Sequence, residues 1–156
     1  MICYFEDLIL KRKTIYCPKF ISKMSTLITN GVNISVESIF QPEYSNTEED
    51  YYMYSYRITI ENLTQQPIKL LERYWMIFDS KGKRSQVSGK GVIGEQPVIQ
   101  PNQIYQYVSG CNLQSDLGKM QGFYTMVNLE DDPSNKGETF QVNIPEFILM
   151  ATFRKN

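Results

Sequence analysis

Histidine is absent from the 156-residue chain. Its absence excludes a Ser-His-Asp triad, a Cys-His pair and every metal site that needs an imidazole ligand. The three cysteines are an odd number without a CxxC spacing, so we expect reduced thiols rather than a disulfide framework. Cys111 has no histidine to activate it, which makes it a small apolar residue rather than a nucleophile. We therefore expect neither a catalytic residue nor a metal site.

Long apolar runs are also missing, since no window approaches the ~18 consecutive apolar residues of a membrane-spanning helix. The net charge of −1 argues against a surface that binds nucleic acid without sequence preference. We expect no secretory signal in the first ten residues, because Glu6 and Asp7 interrupt their apolar run and the basic cluster Lys11–Lys13 follows it. We expect a cytoplasmic protein without a membrane span and without a nucleic-acid partner.

The charge of the chain changes near residue 24. Residues 1–23 carry five basic and two acidic residues, a net charge of +3, whereas the remainder carries a net charge of −4. One interpretation is a basic arm that binds nucleic acid or membrane lipid. The other is an N-terminal extension, upstream of a start at Met24, that the fold does not need. We favour the second, with residues 24–156 as one domain.

Apolar residues alternate with polar ones along most of the chain. Between Tyr52 and Asn62 every second residue is a tyrosine or an isoleucine, which is typical of a half-buried antiparallel strand. Gly82 and Asn102 provide turn residues that tolerate a positive φ. About eight antiparallel strands separated by turns predict an all-β sandwich of immunoglobulin or fibronectin type III kind. The predicted strands are Val32–Glu37, Tyr52–Asn62, Ile68–Asp79, Arg84–Ser88, Ile104–Ser109, Gln121–Leu129, Thr139–Ile144 and Phe147–Phe153.

A GxGxxG motif begins at Gly89 and ends at Gly94. A dinucleotide site of this kind needs a helix directly after the glycines, and Pro97 would end such a helix within its first turn. Two interpretations remain, a tight loop between strands and a weak anion-binding nest. On the second, the candidate residues are Gly89, Lys90, Gly91 and Gly94.

The sequence Arg73-Tyr74-Trp75 contains residue types that dominate protein interfaces. Arg73 and Trp75 are therefore candidate partner-binding residues. The alternative is that Trp75 is the core aromatic residue of a central sandwich strand.

Several ordered motifs together resemble the ApaG/CorD family of small bacterial proteins, over roughly residues 32–153. Tyr74 departs from the family pattern, which usually has histidine there, so any role of that histidine does not carry over. The motifs are Tyr52-x-Tyr54-x-Tyr56-x-Ile58-x-Ile60-x-Asn62, Leu70-Leu71-x-Arg73-x-Trp75-x-Ile77-x-Asp79, Gly89-x-Gly91-Val92-Ile93-Gly94-Glu95-Gln96-Pro97 and Ile144-Pro145-x-Phe147.

The resemblance implies a fibronectin type III-like sandwich and an association with cobalt resistance and magnesium efflux, after which the family is named. Similar domains in eukaryotic F-box and polymerase-delta-interacting proteins resemble protein-interaction modules. We therefore expect a non-enzymatic module, without a cofactor, that affects Co²⁺ and Mg²⁺ homeostasis through a protein partner. The alternative is weak nucleotide or pyrophosphate binding at Gly89–Gly94, and self-association into a homo-oligomer also stays open.

Overall fold

The structure is a computed structural model that describes residues 24–129 and 137–152. These residues form nine β-strands and two short 3₁₀ helices, Pro42–Tyr44 and Thr47–Glu49. No helix in the described ranges is long and apolar enough to cross a membrane. The all-β prediction is confirmed. The strands are β1 (Ser25–Thr29), β2 (Val32–Phe40), β3 (Tyr52–Asn62), β4 (Ile68–Asp79), β5 (Arg84–Lys90), β6 (Val98–Ile99), β7 (Ile104–Leu113), β8 (Leu117–Asn128) and β9 (Thr139–Met150).

The strands form two antiparallel sheets that pack face to face as a β-sandwich. The first sheet has the order β1-β2-β3-β7, and the second has the order β5-β4-β8-β9, with β6 also paired to β4. β3 lies inside the first sheet, and its register with β2 and β7 has no break. Because successive side chains of a strand point to opposite faces, the predicted alternation of β3 buries Tyr54, Tyr56, Ile58 and Ile60 in the core.

The strand prediction was wrong in several places, since β1 and β6 were not predicted, β7 and β8 are longer than predicted, and β9 is one strand instead of two. β1 was missed because its apolar residues Leu27 and Ile28 are both exposed, so it lacks the burial signal. Thr139–Ile144 and Phe147–Phe153 were separated at Pro145, whereas β9 continues to Met150. Proline is tolerated there because β9 is the outer strand of its sheet and its register with β8 shifts beside Pro145. The extension 1–23, the loop residues 130–136 and the last four residues lie outside the described ranges.

The same edge of β4 is paired first by β6 and then by β5. Val98–Ile99 pair with the start of β4, and Arg84–Lys90 pair with it from Phe78 back to Glu72. The register of β4 against β8 shifts at Leu71, the position where β5 and β6 fail to meet. The segment between them, residues 91–97, therefore leaves the sheet and returns to the same edge. This segment contains most of the GxGxxG motif.

Candidate functional site

The segment from Gly91 to Pro97, which we call the glycine loop, is fastened to the irregular position of β4. The carbonyl oxygen of Leu71 accepts hydrogen bonds from the Gly91 N–H and from Gln96 Nε2, both at 2.8 Å. At the end of the loop, Leu70 N–H donates to the Pro97 carbonyl at 3.1 Å. The loop thus begins and ends on adjacent residues of one strand.

The tip of the glycine loop is a two-residue turn. Val92 N–H donates to the Glu95 carbonyl at 2.8 Å, and Glu95 N–H donates back to the Val92 carbonyl at 3.0 Å. The two residues between them, Ile93 and Gly94, have φ values of 49° and 72°. Reciprocal hydrogen bonds around two residues of positive φ correspond to a type I′ turn, which favours Asn-Gly. Ile93 is a branched residue in this strained position, and its side chain is 37% exposed.

The half-buried side chain of Arg73 supports the loop from the core-facing side of β4. It lies opposite Gly89 in the β4–β5 register, and its Nη1 donates to the carbonyl oxygens of Gly91 at 2.7 Å and Lys90 at 3.2 Å. Hydrogen bonds from a charged donor are stronger than neutral ones. The two sets of residues that the sequence nominated separately, Arg73 and the glycine motif, therefore form one unit.

Close packing explains why two of these positions are occupied by glycine. A Cβ atom at Gly89 would lie 3.3 Å from Arg73 Nη1, so glycine leaves room for the guanidinium group. A Cβ atom at Gly91 would lie 1.9 Å from the Glu95 carbonyl oxygen, and Gly91 has a φ of 58°. Both glycines thus fit the structural interpretation of the motif.

The geometry supports anion binding at the glycine loop less than it supports a tight loop between strands. The N–H groups of Gly91, Val92 and Glu95 already donate to main-chain carbonyls, so they do not converge on an empty position. Lys90 is exposed, but it lies opposite Glu72 in the β4–β5 register. The carboxylate of Glu95 extends from the same loop and accepts a hydrogen bond from Tyr105 Oη at 3.4 Å.

A buried tyrosine pair joins the two sheets close to Arg73. The hydroxyl groups of Tyr107, on β7, and Tyr124, on β8, are hydrogen-bonded to each other. Burial raises the pKa of both groups well above the usual value, and the nearby Arg73 charge offsets only part of that increase. Both phenols stay protonated at neutral pH, so they connect the sheets and do not serve as bases.

Trp75 is part of the core. Its side chain is 3% exposed and packs between Tyr56 and Phe147, with ring centroids 5.6 Å and 6.0 Å away. This burial agrees with the core alternative, and partner binding by Trp75 stays an untested prediction that its burial disfavours. Arg73 faces the same interior, because residues two apart on a strand share a face. Its two main-chain hydrogen bonds occupy part of its guanidinium group, and partner binding by Arg73 stays an untested prediction.

The residue between them, Tyr74, lies on the opposite, outer face of the second sheet. It stacks on Phe123 of β8, with ring centroids 4.9 Å apart and an angle of 22°. Met76 and Phe78 follow on the same face of β4, and all four side chains are partly exposed. We call this set the aromatic face. The cationic groups of Arg84 and Lys119 lie 5.6 Å and 5.4 Å from the Phe78 ring centroid.

Within residues 24–129 and 137–152, no cluster of three or more cysteine or acidic side chains could hold a metal ion. A small cavity between β5 and β7, lined in part by Asp79, Lys83 and Cys111, has a volume of about 30 Å³. This volume accommodates a water molecule or two and no nucleotide. Asp79 at its wall is fully engaged, because it accepts hydrogen bonds from Ser115 Oγ and from the Lys81 and Gln114 N–H groups.

Comparison with known proteins supports the resemblance seen in the motifs. A model of the ApaG domain matches residues 42–128, more than half of the chain. The chain belongs to the ApaG family. Protein ApaG of Proteus mirabilis is 41% identical over 121 residues, which cover 78% of this chain and 92% of that protein. Protein ApaG of Brucella anthropi is 40% identical over 126 residues, covering 81% and 92% of the two chains.

Solved structures agree with the ApaG fold. An X-ray structure determined as a structural-genomics target is 38% identical, has a TM-score of 0.72, and covers 83% of this chain and 94% of its own. A crystal structure of a Bordetella pertussis protein described as ApaA is 30% identical, has a TM-score of 0.71, and covers 84% and 97% of the two chains. The ApaG β-sandwich of this chain therefore matches solved structures of similar size.

Sequence reasoning missed the aromatic face, although its signal was present. Trp75 was recognised as a core candidate, and strand alternation then requires Tyr74 and Met76 to point away from the core. The stacking of Tyr74 on Phe123 could not be derived, because it depends on the register between β4 and β8.

Proposed function

We propose that this ApaG protein is a non-enzymatic protein-interaction module that uses its aromatic face to bind a protein partner. The observation that carries the proposal is the stacked Tyr74–Phe123 pair on the outer side of a sheet whose other side forms the core. Aromatic and methionine side chains are enriched at protein interfaces relative to the rest of the surface. The resemblance to proteins named for cobalt resistance supports a partner that acts in Co²⁺ and Mg²⁺ homeostasis.

The charges next to the aromatic face indicate the chemistry of the partner. Arg84 and Lys119 flank Phe78 on the two neighbouring strands, and Lys119 is paired with Glu146 at 2.8 Å. A partner segment with an apolar or aromatic centre and acidic flanks would match this arrangement, because opposite charges steer association.

The proposal can be tested by quantitative capture of partners on immobilised protein. A double variant, Tyr74→Ser and Phe123→Ser, removes the stacked pair but leaves the core face unchanged. The control variant, Thr59→Ser and Gln106→Ser, changes two residues of the first sheet and leaves the aromatic face of the second sheet unchanged. We expect the first variant to lose at least tenfold in partner affinity, about 1.4 kcal/mol, and the control to bind normally. Equal capture by both variants, with both folded by circular dichroism, would contradict the proposal.

Nucleotide binding by the glycine loop is the competing proposal. Calorimetric titration with ATP, GTP and pyrophosphate at low and physiological salt tests it directly. With Gly91, Val92 and Glu95 N–H groups engaged and a carboxylate present, we expect no binding tighter than roughly 0.2 mM. Micromolar affinity that disappears in Lys90→Ala would make the glycine loop the functional site.

A further inference from the structure

The outer surface of the second sheet extends from the aromatic face to its last strand, β9. Ile148 of β9 pairs with Lys119 of β8, and Lys119 pairs with Phe78 of β4, so the three residues form one row across the sheet. Paired residues of neighbouring strands point to the same side of a sheet. The Ile148 side chain is 50% exposed, and it extends the apolar surface of the aromatic face to the edge of the sheet.

The chain enters the fold beside Ile148. Ser25, the first residue of β1, pairs with Val36 of the antiparallel strand β2. Met24 therefore lies on the side where β2 continues from Val36 to Ser38, and Ser38 Oγ donates a hydrogen bond to the Ile148 carbonyl at 2.8 Å. Residues 1–23, which precede Met24 in the chain, are thus attached close to the outer surface of the second sheet.

The sequence before β1 complements this surface. Residues 2–10, which we call the apolar segment, contain seven apolar or aromatic residues and two acids, Glu6 and Asp7. Arg84 and Lys119 hold their cationic groups at the aromatic face. Opposite charges therefore meet when the apolar segment lies on this face, and apolar side chains meet aromatic ones.

The connection between the apolar segment and β1 is long enough for this contact. Residues 11–23 span up to roughly 43 Å when extended, at about 3.3 Å per residue. Neighbouring strands are about 4.8 Å apart, so Phe78 lies roughly 10 Å across the sheet from Ile148. A tethered segment also has a high effective concentration at a nearby surface, which favours it over a second copy of the chain.

We propose that the apolar segment covers the aromatic face of its own chain, with its two acids beside Arg84 and Lys119. The fold does not need this contact, because the aromatic face lies outside the core. The consequence for a partner rests on the proposed function: the apolar segment and the partner would compete for one surface, and the partner would bind after the segment leaves.

Hydroxyl-radical footprinting of the full chain tests the contact without a partner. Mass spectrometry gives the oxidation rates of Tyr74 and Met76 in the unsubstituted chain and in a variant with Phe5→Ser and Leu8→Ser. We expect both rates to rise at least about threefold in the variant, because two apolar side chains no longer contribute to the contact.

A charge exchange tests which groups face each other. Glu6→Arg with Asp7→Arg should also raise the oxidation rates, because like charges then meet at the aromatic face. Adding Arg84→Glu to this variant should restore protection, because opposite charges face each other again. Lys119 stays unchanged, since it already pairs with Glu146.

The matched control, Ile15→Ser with Ile21→Ser, removes two apolar residues of the extension outside the apolar segment and should leave both rates unchanged. Equal oxidation in the unsubstituted chain and in the Phe5→Ser with Leu8→Ser variant, both folded by circular dichroism, would overturn the inference. Protection that disappears on dilution would also overturn it, because a second copy would then supply the segment. Either result would leave the proposed function intact, since partner capture is measured separately.

Discussion

The side chain of Arg73 holds the main chain at Gly91, because its Nη1 donates a 2.7 Å hydrogen bond to the Gly91 carbonyl. Arg73 lies on β4, and Gly91 is the first residue after β5, so this bond fixes where the glycine loop leaves β5. The bond gives the arginine of the ApaG motif a structural role that does not require a ligand.

Removing this support should destabilise the protein. Arg73→Met keeps most of the side-chain volume but removes the donors to Gly91 and Lys90, and we expect a loss of roughly 1.5–3 kcal/mol in the free energy of unfolding. Urea unfolding followed by tryptophan fluorescence measures it. Glu72→Gln, at the neighbouring exposed position, serves as the control and should cost almost nothing. An unchanged midpoint in Arg73→Met would show that the loop does not depend on the arginine.

The glycines with positive φ should differ in their tolerance of a side chain. Gly91→Ala places a Cβ atom against the Glu95 carbonyl, and we expect a loss of more than about 2 kcal/mol in the free energy of unfolding. Gly82→Ala is the matched control, because Gly82 also has a positive φ but has no atom within 4 Å of the added Cβ. It should cost only about 1 kcal/mol. Equal midpoints for the two variants would contradict the steric argument.

Ile93 should be a position where substitution stabilises the fold. In the first central position of a type I′ turn, Ile93→Asn removes the strain of a branched residue at positive φ, and we expect a gain of about 1 kcal/mol. Thermal and urea unfolding measure the gain. Ile93→Val keeps the branching and should not stabilise. A loss of stability in Ile93→Asn would mean that the packing of the partly exposed isoleucine outweighs its backbone strain.

Trp75, the one tryptophan of the chain, reports directly on the core. We expect blue-shifted emission that iodide quenches poorly in the folded protein, and a red shift on unfolding, because the indole is 3% exposed. Trp75→Ala should cost roughly 3–5 kcal/mol through the cavity it leaves. Readily quenched, red emission from folded protein would contradict the core position.

Asp79 should make stability depend on acid pH. Burial alone would raise the pKa of Asp79, but hydrogen bonds from Ser115, Lys81 and Gln114 outweigh it and lower the pKa. A carboxyl group whose pKa is lower in the folded state stabilises the fold above its unfolded pKa of about 3.9. That contribution is lost as the pH falls from there through the folded pKa. Asp79→Asn should therefore flatten the decline of unfolding free energy below about pH 4, and an unchanged pH profile would exclude this carboxyl group as its source.

Strand alternation predicted those parts of the fold in which one face is continuously buried. β3 and β4 have the bounds that their sequence pattern predicted, because each carries its own run of core residues. β1 and β6 could not be recognised, since β1 is largely exposed and β6 has two residues. These short strands are extended because they pair with a neighbouring strand. The hydrophobic pattern of a short sequence segment does not show which strand it pairs with.

The candidate residues illustrate the same limit. The motif correctly nominated Arg73 and Gly91, but the sequence alone could not show that one binds the other. Their contact depends on the register shift of β4 at Leu71. The shift inserts one extra residue into the strand, and Arg73 therefore faces the core. Register irregularities of this kind depend on the partner strand, so a single strand's sequence did not reveal this one.

The order of the strands has a consequence for how quickly the chain folds. β3 pairs with β7, yet β4, β5 and β6 lie between them in the chain and belong to the other sheet. Pairing of segments so distant along the chain delays folding to the millisecond-to-second range, because the entropy of closing the intervening loop is lost before the contacts form. We therefore expect the docking of β7 onto β3 to limit the rate of refolding. Until it occurs, Tyr107 cannot reach Tyr124, and the hydrogen bond that joins the two sheets cannot form.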